Sequence, residues 1–273
     1  MRHVIMGLAL AAALYATDEK STEHKSFSGV RDLAIDNITG YIEVTAASGN
    51  TVEIDVEKTL SAWSEDRLAL ARKEISLSTK QEGGLLQVMV DGPFRCHCAE
   101  NSTNFRGHQL YEFKFNFRIR VPRDVKLDLR TVNDSHISVE GTAGDYMISN
   151  VNGPIEMKNI EGSGKVTTVN GGVKVTYVKN PTGPTSFHTI NGSLDIAFRP
   201  GLNADVKLKT MNGGLYTDFN VSALPVAGTP PELRNGKYVW SSRKMTGVRI
   251  GSGGPELQFE TLNGDVMIKN QER

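Results

Sequence analysis

A chain of 273 residues with 38% hydrophobic and 23% charged residues is long and apolar enough to bury a sizeable core, which excludes a disordered polypeptide. Lys+Arg and Asp+Glu each number 31, so the formal net charge is zero, and bulk electrostatics give no reason to expect nucleic acid or an anionic membrane as partner. The 27 glycines suit a protein built on many tight turns.

Residues 1–16 read as a signal peptide. Arg2 supplies the positive start, "VIMGLALAAAL" an apolar run shorter than a membrane span, and cleavage is placed after Ala16, ahead of polar "TDEKSTEHK". The rest, 17–273, reads as one β-strand-repeat domain. Short alternating runs follow in "YIEV" and in "TVEIDVE", where Val52, Ile54 and Val56 share a face. "SAWSEDRLALARKEISL" changes period: Trp63, Arg67, Ala71 and Ile75 fall near one helical face, Ser61 or Ser64 can cap, and Glu65 and Asp66 suit a first turn. The expectation is one helix over 64–77, a crossover or cap on the sheet.

"RCHCAENSTNFRGH" then interrupts the strands, a loop insertion near 91–110. It holds the two cysteines, Cys96 and Cys98, with His97 and His108 close by. Two thiolates and two imidazoles could complete a tetrahedral zinc set, but one intervening residue is short for paired zinc cysteines, and an exported location favours oxidation. A disulfide or inert pair is therefore set ahead of a metal site and of a redox role, and all three stay open. Beyond the loop, "YEFKFNFRIRV" alternates along its whole length. Tyr111, Phe113, Phe115, Phe117, Ile119 and Val121 share one face, and Pro122 stops the ladder.

From there one turn recurs. "NVNG", "TVNG", "TING" and "TMNG" place Asn152, Asn170, Asn191 and Asn212 at steps of 18, 21 and 21 residues, with a degenerate "TVND" putting Asn133 a further 19 upstream. "TLNG" with Asn263 follows only after 51 residues, across the Pro-rich "ALPVAGTPPELRNG", so a second insertion is read near 224–236. In a meander each Asn-Gly would form a type I′ turn, whose two residues tolerate positive φ. In a solenoid equivalent turns stack, and their asparagines can bond from coil to coil. The constant frame, Thr two before Asn with an apolar residue between, favours stacking. Counted along the chain, Asn170 and Asn191 are interior to such a ladder and Asn263 is terminal.

Taken in order, "LAIDNITGYIEV" (33–44), "FRIRVPRDVKLDLRTVND" (117–134) and "LQFETLNGDVMIKN" (257–270) resemble the toastrack, or adhesin-like, domains of bacterial envelope proteins, whose repeats carry TVNG followed by a short apolar strand. The resemblance implies a β-solenoid-like stack and export to the cell envelope, in a family of mostly uncharacterised function. Asp134, where glycine is usual, and the cysteine loop depart from it. The fold expected is all-β: a β-solenoid, a parallel β-helix-like stack of two-strand coils, with one short helix.

Parallel β-helices also carry polysaccharide lyases and glycosidases, which need carboxylates, or a carboxylate and a base, projecting from neighbouring coils. Glu156, Lys158, Lys165, Lys174 and Asp195 lie on repeated strands, yet alternating charge is what any solvated strand face carries, and no spacing singles out a pair. "DSH" (134–136) is not a triad, "GSGG" (251–254) lacks the lysine of a phosphate loop, and the turns lack the aspartates of calcium-binding coils. No catalytic residue, cofactor or metal ligand is assigned. The expected function is a periplasmic or extracellular, non-enzymatic binding or scaffold module for a glycan or a cell-envelope protein, with a carbohydrate-active enzyme on the same scaffold as the alternative.

Overall fold

The computed structural model describes residues 17–95, 110–224, 232–234, 237–239 and 246–271. The expected signal peptide at 1–16, Cys96 and Cys98, and most of the insertion expected at 224–236 lie outside the described residues. The amino-terminal part comprises β1 (Thr17–Ser28), β2 (Asp32–Asp36), β3 (Ile42–Ala47), β4 (Thr51–Ala62), α1 (Glu65–Glu74), β5 (Ser76–Glu82), β6 (Leu85–Asp91) and β7 (Tyr111–Pro122). Short strands follow in pairs: β8 (Lys126–Arg130) and β9 (Ile137–Glu140), β10 (Tyr146–Ser149) and β11 (Ile155–Ile160), β12 (Gly164–Thr167) and β13 (Val173–Tyr177), β14 (Thr185–His188) and β15 (Leu194–Phe198), β16 (Ala204–Lys209) and β17 (Leu215–Thr217). Then come β18 (Val221–Ala223), β19 (Glu232–Arg234), β20 (Lys237–Val239), β21 (Thr246–Ile250), β22 (Glu256–Glu260) and β23 (Val266–Asn270).

The strands form two main sheets. The first runs β1-β4-β7-β3-β9-β11-β13-β15-β23-β17, and the second β18-β21-β16-β22-β14-β12-β10-β8-β2-β6-β5. The first strand of each pair lies in the second sheet, its partner lies in the first, and each pairs parallel with its counterpart in the next coil, as β11 does with β13 and β10 with β12. This is a β-solenoid of two-strand coils, because each short strand can complete its backbone hydrogen bonds only through the coils on either side. The inward rows make the core: Ile155, Val173, Leu194 and Val266 fall in register and are buried, and Phe187 stacks on Phe259 at 5.3 Å between centroids.

Both ends depart from the parallel pattern. At the amino-terminal end β1 and β7 flank β4 antiparallel, and β5 pairs antiparallel with β6. β1 was not foreseen, since charged and polar residues occupy both of its faces and most of it is exposed. At the other end β21 runs antiparallel to β16 and to β18, while β19 and β20 pair only with each other among the described strands.

Helix α1 is shorter than the expected 64–77. Ser64 is the cap, its Oγ accepting from the Arg67 amide at 3.4 Å, and the chain is already extended at Ile75 before entering β5. The expected face is also rotated. Trp63 precedes the cap and is 61% exposed, Arg67 is exposed, and the stripe buried against β4 and β7 consists of Leu68, Ala71 and Ile75. The β5 hairpin claims the residues after Glu74, because pairing with β6 satisfies their backbone groups, whereas a longer helix would leave that edge of the second sheet open.

The largest departure concerns coil order. The 51-residue step from Asn212 to Asn263 does not add the next coil beyond β16 and β17. Instead β22 pairs with both β14 and β16, and β23 with both β15 and β17, so the last coil of the chain is wedged inside the stack. The coil containing Asn212, not Asn263, is terminal.

Candidate functional site: the turn ladder and the outer face of the first sheet

The turns stack along one edge. Asn152 Nδ2 donates to Asn133 Oδ1 at 3.1 Å, Asn170 to Asn152 at 2.8 Å, Asn191 to Asn170 at 2.8 Å, Asn263 to Asn191 at 2.7 Å and Asn212 to Asn263 at 2.7 Å. A second ladder lies beneath. The Oγ1 groups of Thr168, Thr189, Thr261 and Thr210 donate to the carbonyl oxygens of Gly153, Gly171, Gly192 and Gly264 in the coil before, at 2.9 to 3.1 Å. Burial of Thr168, Thr189 and Thr261 makes these bonds necessary, because a buried hydroxyl without a partner costs on the order of 1–3 kcal/mol.

The glycine of each turn serves close approach rather than a type I′ conformation. None of the ladder asparagines has a positive φ. A Cβ on Gly171 would collide with the Gly153 carbonyl, one on Gly192 with that of Gly171, one on Gly264 with that of Gly192, and one on Gly213 with that of Gly264. Neighbouring Gly172 meets nothing nearer than 3.3 Å. Asp134 takes the glycine place in its coil by adopting φ 45°, with its carboxylate on Lys114 Nζ at 2.6 Å.

This spine holds successive coils in register, so outward side chains of the first sheet line up in rows across the strands. One row runs Glu43, Ser138, Glu156, Lys174, Asp195 and Met267, on β3, β9, β11, β13, β15 and β23. Beside it Pro154, Gly172 and Ser193 leave the surface low, and together these residues line a groove of about 620 Å³. Glu156 is paired with Lys158 at 3.0 Å and Asp195 with Lys269 at 2.8 Å, while Lys174 between them has no ion pair among the described residues.

His136 closes one end of the groove. Its ring stacks on Tyr41 at 5.1 Å, Arg118 sits 5.3 Å over the Tyr41 ring, and Glu43 lies 3.3 Å from His136 and 3.5 Å from Arg118. Burial raises the Tyr41 hydroxyl above its ordinary range, partly offset by the Arg118 charge, so the ring stays a neutral platform. Sequence reasoning passed over this cluster because Tyr41, Arg118 and His136 come from three distant segments. Their only local signal was the "DSH" run.

Glu156, Lys174 and Asp195 are thus brought side by side, Lys158 joins them as an ion-pair partner, and Lys165 lies apart on the second sheet. There it lines a smaller groove of about 260 Å³ with His188 and Glu260. The "GSGG" run forms the turn after β21, with Gly251 and Gly253 at φ 58° and 81° and Asn203 Oδ1 accepting from the Ser252 amide at 2.8 Å.

No protein-family model matches the chain, and no curated protein matches it. Solved structures similar to it include a proposed cell adhesion protein from Clostridium sporogenes, 8% identical over 93% of this chain and 100% of that one, with a TM-score of 0.44. A proposed adhesin from Bacteroides fragilis is 11% identical over 92% of this chain and 97% of its own, with a TM-score of 0.38. A proposed lipid-binding protein from Parabacteroides distasonis is 12% identical over 91% and 96%, with a TM-score of 0.29.

Proposed function

We propose that this chain is an exported, non-enzymatic binding or scaffold module of the cell envelope that holds an extended glycan or an envelope protein along the outer face of its first sheet. The observation that supports it is the in-register row from Glu43 to Met267. Six strands about 4.8 Å apart give that row a length of roughly 24 Å, a scale that suits a polymer lying across the strands rather than a small molecule. His136 on its Tyr41 platform offers an aromatic surface at one end. Lys174 offers an ammonium to a ligand carboxylate, sulfate or hydroxyl.

The alternative, a carbohydrate-active enzyme, draws on Glu156 and Asp195 flanking Lys174. Each carboxylate holds a lysine partner rather than the apolar setting that a general acid requires, so binding is the better-supported reading. A screen of the purified protein against neutral and polyanionic glycans and envelope-protein fragments, reporting both binding and product release, separates the two. Combined Lys174→Ala and His136→Ala substitution is expected to weaken a captured ligand about tenfold or more, equivalent to about 1.4 kcal/mol. Binding unaffected by both changes would move the site elsewhere, and product release would establish the enzyme.

A further inference from the structure

The backbone of the turn ladder has a direction. The Gly40 amide donates to the carbonyl of Asn133 in the following coil at 3.1 Å, Gly153 to Asn170 at 2.8 Å, and Gly171 to Asn191, Gly192 to Asn263 and Gly264 to Asn212, each at 2.9 Å. Gly213 occupies the same place in the terminal coil. Among the described residues no further coil stands beyond it, and its amide has no acceptor. The next amide, Gly214, is turned to Asp265 Oδ1 at 2.8 Å. Asn212 and Gly213 are both exposed, as is Met211 before them.

An asparagine followed by glycine has its own chemistry. The amide nitrogen of the glycine loses its proton and attacks the asparagine Cγ, closing a five-membered succinimide and expelling ammonia. Water then opens the ring to aspartate or isoaspartate. One water enters and one ammonia leaves, without oxidant or reductant. The step needs an amide free to give up its proton and a backbone free to rotate. In the interior turns the amide proton is held by the next coil's carbonyl and the chain is clamped from both sides, so reaction waits on local opening.

From this we infer that Asn212–Gly213 is a deamidation site of the folded protein, while the turns at Asn152, Asn170, Asn191 and Asn263 are protected by their place in the stack. The conversion removes the Asn212 donor that holds Asn263 Oδ1 at 2.7 Å and sets a carboxylate against that oxygen. The isoaspartyl product also lengthens the backbone beside β17, the edge strand of the first sheet. The modification therefore loosens the end coil selectively. It is independent of what the outer face binds.

The test incubates the purified protein in mildly alkaline buffer and follows the amide-to-acid mass change and isoaspartate in each turn peptide. The same measurement on the denatured chain supplies intrinsic rates. The folded protein is expected to convert Asn212 at least about tenfold faster than the other four turn asparagines, and denaturation to bring all five rates together. Asn212→Gln, whose cyclisation would need a less favourable six-membered ring, should abolish conversion in that peptide and leave the others unchanged. Asn212 reacting as slowly as the other four in the folded state would overturn the inference, as would all five reacting at denatured rates. The Asn235–Gly236 pair lies outside the described residues and falls in a separately resolved peptide.

Discussion

Asn263 shows what neighbours do to a residue. It stands ten positions from the carboxyl terminus, yet its side chain donates to Asn191 and accepts from Asn212, so it has two ladder partners where Asn212 has one. Asn263→Ala is expected to destabilise by about 1–2 kcal/mol and Asn212→Ala by less, the reverse of the order that chain position suggests. Urea denaturation of the two variants decides it: an Asn212 change as costly as the Asn263 change would contradict the stacking order. The repeated pattern of threonine, an apolar residue, Asn and Gly was legible because every coil must meet the same contacts. Why each turn needs glycine was not, since the obstacle is a carbonyl one coil away.

At the scale of elements, the strands whose apolar residues alternate were readable. The 111–122 strand buries Phe115, Phe117, Ile119 and Val121 on the anticipated face. β1 and the boundary between α1 and β5 were not, because β1 is held by backbone pairing to β4 and α1 is ended by the β5 hairpin, and neither leaves a local pattern. The coil formed by β22 and β23 gives a sharper test. Ending the chain after Ile250 removes the pair that joins β14 to β16 and β15 to β17, leaving Phe187 without the Phe259 ring against it. Such a truncation is expected to abolish the single cooperative unfolding transition. Its retention with near-native stability would show that the wedged coil is dispensable.

For the molecule as a whole, a buried polar pair contributes to a pH limit. Tyr146 and Tyr177, both buried, share a hydrogen bond between their hydroxyls inside the stack, and burial is the main cause that raises both above the ordinary tyrosine range. A raised folded-state value means that the stabilising contribution is complete below the unfolded value and is lost as pH climbs above it toward the folded value. Stability is therefore expected to fall above about pH 10, where tyrosines of the unfolded chain ionise while these two cannot. Replacing both, Tyr146→Phe with Tyr177→Phe, removes the hydroxyls together and leaves neither unpaired, and should flatten that decline. An unchanged alkaline limb in the double variant would assign the loss to other groups.

The all-β class, the two-strand coil, the stacked turn and the single helix follow from spacing and alternation, because each is imposed by contacts that recur every coil. The order of the coils does not follow from spacing. Parallel strands need only a matching neighbour at about 4.8 Å, and the coil of β22 and β23 pairs in register both with that of β14 and β15 and with that of β16 and β17, so the chain returns and inserts between them. The outer face was hidden for the same reason. Glu156, Lys174 and Asp195 read singly as solvated strand charges, and Glu43 and His136 lie far from them in the chain. Only the lateral register of the sheet, set by hydrogen bonds between distant segments, gathers Glu43, His136, Glu156, Lys174 and Asp195 into one groove.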